Sequence, residues 1–69
     1  MDVTIKQELL QAGTIAIELR ETVRWNTVFY EVMAMECRGD YCKFPFSDNY
    51  YADLKKAKRQ YNALKRRYK

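Results

Sequence analysis

The chain has 69 residues, 48% of them hydrophobic and 14% aromatic, with two Gly, one Pro and no His. This length makes a single small domain, residues 1–69, near the lower limit for a self-supporting hydrophobic core, and it leaves little room for a deep substrate cleft. Its net charge of +4 is unevenly placed: residues 1–53 hold five basic and nine acidic side chains, whereas Leu54 to Lys69 hold eight basic and no acidic ones.

The absence of histidine removes imidazole acid–base and triad chemistry, and two cysteines cannot supply the four ligands of a structural zinc site. No metal, cofactor or catalytic residue is expected, and the chain reads as a binding protein rather than an enzyme. No run approaches the ~20 apolar residues that span a bilayer, and Asp2 with the polar stretch after it does not form a signal-peptide pattern. The expected location is cytoplasmic, with neither a membrane nor a small-molecule substrate as partner.

In chain order, Thr4-Ile5-Lys6-Gln7 has the form of a capping box, strong helix formers follow, and Gly13 stands where a left-handed C-cap is wanted. This spacing predicts a short helix over Ile5 to Ala12. A strand is the alternative, because Val3, Ile5 and Leu9 share one period-two face. From Thr14 the period changes: Ile15, Ile17 and Leu19 alternate with Ala16, Glu18 and Arg20, the pattern of a half-buried strand. A second β-rich run, Thr27 to Cys37, follows the Thr22 to Asn26 connection, and Trp25 is expected to fold onto the sheet. Gly39-Asp40 then suits a two-residue hairpin loop, which also accounts for the tripeptide Arg38-Gly39-Asp40. That loop would set Arg38 opposite Tyr41, Cys37 opposite Cys42, Glu36 opposite Lys43 and Met35 opposite Phe44. Pro45, with no backbone donor, is expected to end the ladder.

Ser47, Asp48 and Asp53 are candidate helix caps. Behind them Tyr50, Leu54, Ala57, Tyr61, Leu64 and Tyr68 recur at spacings of four and three, one apolar stripe of a helix whose other faces are basic. The expected architecture is α+β: a short N-terminal helix, a three-stranded antiparallel meander, and a long C-terminal amphipathic basic helix packed on the sheet. This order of elements resembles that of the double-stranded-RNA-binding domain, with Lys55-Lys56-Ala57-Lys58 near the start of the second helix, where that family's lysines meet phosphates. The resemblance is one of topology: the spacing of Ala57 and Lys58 is one residue short of the family pattern, and the glycine-rich approach to the helix is absent.

Lys and Arg at this density neutralise phosphates and release counterions. Lys55, Lys56, Lys58, Arg59, Lys65, Arg66, Arg67 and Lys69 are therefore the expected contacts for an acidic partner, nucleic acid or a nucleoprotein complex first. Two other classes fit the same charge split. One is a small phage- or plasmid-type regulator or inhibitor that binds a host protein complex. The other is a structural homodimer in which one copy's basic segment meets another's acidic body. Cys37 and Cys42, opposite each other on the hairpin, could close a disulfide or act as a redox pair, but in a reducing cytosol the expectation is two half-buried thiols. Glu18, Glu21, Glu31, Glu36, Asp40 and Asp48 are spread along strands and turns and read as a wet sheet face.

Overall fold

The computed structural model describes residues 2–69. Four strands precede one helix: β1 (Asp2–Leu10), β2 (Ile15–Arg24), β3 (Thr27–Arg38), β4 (Tyr41–Tyr51) and α1 (Leu54–Arg67). The strands form one antiparallel sheet in the order β1-β2-β3-β4, each paired with its neighbour in sequence. The α+β class and the C-terminal helix agree with the expectation, whereas the sheet has four strands instead of three.

The added strand is the segment whose spacing predicts a short helix, with a strand as the alternative; the strand is what forms. Val3, Thr4 and Ile5 are β-branched and suit a pleated edge. The Thr4 hydroxyl, instead of capping a helix, donates to Glu18 Oε2 across the β1–β2 pair at 2.6 Å. Local capping signals are weak, and cross-strand pairing along the whole segment overrides them. A register shift between Thr4 and Lys6 places Lys6 and Glu8 opposite Leu19 and Ile17. With a strand in place of the first helix, the element order departs from that of the double-stranded-RNA-binding domain.

The β3–β4 hairpin begins in the expected register, with Arg38 opposite Tyr41 and Cys37 opposite Cys42. Irregularities then set Glu36 opposite Phe44 and Met35 opposite Pro45. Gly39 lies at φ 60°, as the first central residue of a II′ turn requires. Pro45 does not end the ladder. It sits in the outermost strand, where a missing N–H can face solvent, and β4 continues to Tyr51. Tyr50, expected in the helix stripe, consequently belongs to β4.

The remaining stripe forms as expected. Asp53 is the N-cap, its side chain accepting from the Lys55 backbone N–H at 2.8 Å, and Lys65, Arg66 and Arg67 occupy the last turn, where they complement the helix dipole. α1 lies over the two central strands, with Ala57, Tyr61 and Leu64 packed on Ile17, Leu19, Val32 and Ala34. Leu54 and Tyr68 extend this core at the two ends of the helix, and Phe46 meets the Tyr68 ring edge-on at 5.6 Å. The opposite sheet face carries a smaller cluster of Ala16, Met33, Met35 and Cys37, packed with Cys42. Cys37 and Cys42 are joined there by a disulfide instead of standing as thiols, their Cα atoms 4.0 Å apart.

Candidate binding surfaces

Commitment of Ala57, Tyr61 and Leu64 to the core dictates where the cations of α1 point. At 3.6 residues per turn, the positions between them face away from the sheet, and Lys55, Lys56, Lys58, Arg59, Lys65, Arg66, Arg67 and Lys69 are all exposed. Seven of the eight sequence-derived residues are thus brought onto one element, in a fixed arrangement, and Lys69 follows just past the C-cap Tyr68. Among the described residues, Lys65 is the cation of this set that forms an ion pair, with Glu8 Oε1 at 3.1 Å. Arg67 lies 6.0 Å from the Tyr68 ring centre. On the β4 side, a shallow groove of about 470 Å3 runs between Tyr51 and the helix side chains Lys56, Arg59, Gln60, Ala63 and Arg66.

On the β1 side, Lys6 and Glu8 close over the helix. Lys6 Nζ stands 5.8 Å from the Tyr61 ring centre. The Tyr61 hydroxyl is buried without a hydrogen-bond partner. Burial, and then the charge of Glu8, push its phenol up to about 12. Tyr61 is accordingly a structural ring and is not available for stacking on a base.

The face of the sheet without a helix differs from expectation. Its acids are not uniformly wet: Glu18 and Glu31 are 6% and 7% exposed. Arg20, between them, donates from Nη2 to Glu18 Oε1 at 3.1 Å, and its Nη1 lies 3.9 Å from both Asp2 Oδ2 and Glu31 Oε1. The hydrogen bond to Glu18, and then the surrounding carboxylates, raise the Arg20 pKa from an already high value. Thr22, itself buried, donates to Asp2. That bond is the main reason the Asp2 carboxyl is held below its ordinary value. Asp48 behaves oppositely. Loss of solvation, and then the neighbouring Glu31 carboxylate, push it up to about 6.

This network becomes visible only with the strand register, because its members come from β1, β2, β3 and β4. One signal is present in the sequence: Glu18, Arg20 and Thr22 alternate with the apolar positions of β2. Trp25 also departs from expectation. It does not fold onto the sheet but stands 89% exposed at the β2–β3 turn.

Among the described residues, no group of three or more His, Cys, Asp and Glu is arranged to hold a metal ion, and no helix is long and apolar enough to cross a membrane. No protein-family model matches the chain, and no curated protein and no solved structure is significantly similar to it.

Proposed function

We propose that the protein acts by binding, using the exposed basic face of α1 to dock on an acidic partner, in the first instance nucleic acid or a nucleoprotein complex. The observation that carries this reading is the set of cations on a helix whose apolar side is fully engaged: Lys55, Lys56, Lys58, Arg59 and Arg66 are exposed on a rigid support without ion-pair partners among the described residues. A fixed row of charge loses less conformational freedom on meeting phosphates than a flexible tail does. The Tyr51-to-Arg66 groove adds an edge along which a backbone of phosphates could run.

The test is the salt dependence of binding to a labelled oligonucleotide, single- and double-stranded, followed by anisotropy. Affinity should fall steeply as salt rises. Replacing Lys58, Arg59, Arg66 and Arg67 with Ala should both weaken binding and flatten the log–log slope, by about 0.9 for each duplex phosphate that is no longer neutralised. Absence of binding to either form at low salt overturns nucleic acid as the target.

A further inference from the structure

On the β4 side the β2–β3 hairpin reaches past its neighbour: the β4 pairing with β3 runs out at Tyr51 opposite Tyr30, and the pairs Val23–Val28 and Arg24–Thr27 continue beyond it. At the tip, Trp25 and Asn26 take φ values of 52° and 58°, the left-handed pair of a two-residue I′ turn. Asn and Gly adopt that conformation readily, and a bulky side chain does so at a cost. Packing does not offset the cost here, because Trp25 is the most exposed large hydrophobic residue among the described residues, at 89%. A strained backbone carrying an unburied indole is a feature whose use lies outside the folded chain.

Beside Trp25 is a cleft of about 270 Å3 with mainly apolar walls, lined by Thr22, Arg24, Trp25, Phe29 and Tyr50. It opens onto the sheet face that no helix covers. Asp2, Glu18, Glu31 and Asp48 lie on that face around the guanidinium of Arg20, with Arg24 at the rim of the cleft, so four carboxylates outnumber two cations, and Leu9 stands exposed further along it. Aromatic anchors beside a cleft, with charge at the margin, are the composition of a protein-binding hot spot.

We propose that this uncovered face, anchored by Trp25, docks a cationic segment of a partner protein, an apolar side chain entering the Trp25–Phe29–Tyr50 cleft and Arg or Lys meeting the exposed carboxylates of Asp48 and Asp2. The sign of the face selects this occupant. Nucleic acid would meet like charge. A second copy of the chain packed face to face would set the same four carboxylates against themselves. The helix of a second copy offers Lys55, Arg59, Asn62 and Arg66 on its outer side and no large apolar group to fill the cleft. This surface is independent of whatever α1 binds, since the two lie on opposite sides of the sheet.

The test uses the full chain and two labelled nine-residue peptides, one alternating Arg with Leu and the other Glu with Leu, read by anisotropy and by the emission of Trp25, the only tryptophan present. The Arg peptide should bind saturably with a blue shift of the emission, whereas the Glu peptide, which the cations of α1 can hold on the other side of the sheet, should leave the emission of Trp25 unshifted. Trp25→Asn should weaken the Arg peptide at least tenfold while raising the melting temperature, because Asn suits the turn. Loss of binding in a better-folded variant separates an anchor from a structural residue. Alanine at Lys55, Arg59 and Arg66 should leave binding of the Arg peptide unchanged. An equal blue shift with the Glu peptide, no saturation by the Arg peptide below millimolar concentration, or undiminished binding of the Arg peptide by Trp25→Asn each overturns the proposal. So does a mass in sedimentation that rises with concentration and is reversed by Trp25→Asn, which would identify a second copy as the occupant.

Discussion

On the covered face of the sheet, Ile17, Leu19, Val32 and Ala34 lose all solvent contact beneath one helix; on the opposite face Glu18, Glu31 and Thr22 come close to the same burial with no second layer above them. The first kind of burial is non-directional and scales with the apolar area removed from water. The second depends on partners: Arg20 and Thr4 for Glu18, Arg20 for Glu31, and Asp2 for Thr22. Similar exposure values therefore describe surfaces that fail differently. An apolar face fails by leaving a void, and a polar one by leaving an unpaired group.

The contrast can be broken most severely on the covered side. Leu19→Ala should cost about 2–5 kcal/mol, measured by urea denaturation, which for a domain this small is a large part of its stability. A cost below about 1 kcal/mol would show that α1 is not firmly seated. On the open side, Arg20→Met keeps the aliphatic stem and removes the partner of Glu18 and Glu31. Partial exposure of Arg20 moderates the penalty, and a loss of about 2 kcal/mol is expected at neutral pH. That loss should shrink on acidification, as the abandoned carboxylates take up protons, whereas the Leu19→Ala loss should not depend on pH in this way.

The smallest effect sharpens the comparison. Because Asp48 sits at about 6 in the folded chain against an ordinary 3.8, the folded state holds its proton more tightly than the unfolded one does. Its contribution is thus fully favourable below about 4 and is lost as pH rises from about 4 to about 6. Asp48→Asn, whose amide can still donate to Glu31, should remove that loss. The variant should match the parent near pH 4 and exceed it at pH 7 by about 1 kcal/mol or less, after allowance for the exposure of Asp48 to solvent. Identical pH profiles for the two proteins would show that neither loss of solvation nor Glu31 raises the Asp48 carboxyl.

How much of this is legible in the sequence follows from which links are local. The helix from Leu54, its Asp53 cap and the outward display of its cations are written in a 3.6-residue period and one capping side chain. The register next to Gly39-Asp40 is equally local, held by a two-residue turn. β1 reads wrongly as a helix because its capping-box residues carry weak local signals, and a decisive interaction, Thr4 with Glu18, spans 14 positions. Pro45 reads wrongly as a terminator because a proline's effect depends on whether its strand is central or outermost, which is a property of the whole sheet. Trp25 reads wrongly as buried because apolar surface ordinarily turns inward, and the left-handed turn that holds it outward has Asn in its second position only, in place of the usual Asn-Gly pair. The open-face carboxylate network has no sequence period of its own beyond the alternation in β2.

The strictly sequential strand order also orders the way the molecule is assembled. Each strand can zip onto the one made just before it, through short loops that cost little entropy to close, so the sheet is completed from local contacts. The helix follows all four strands in the chain. Until Leu54 to Arg67 has been synthesised, Ile17, Leu19, Val32 and Ala34 form a bare apolar surface, the state in which small sheets adhere to one another. The segment that covers this surface also brings seven positive charges, so the addition of the roof reverses the sign of the chain's charge, from −4 over residues 1–53 to +4 overall.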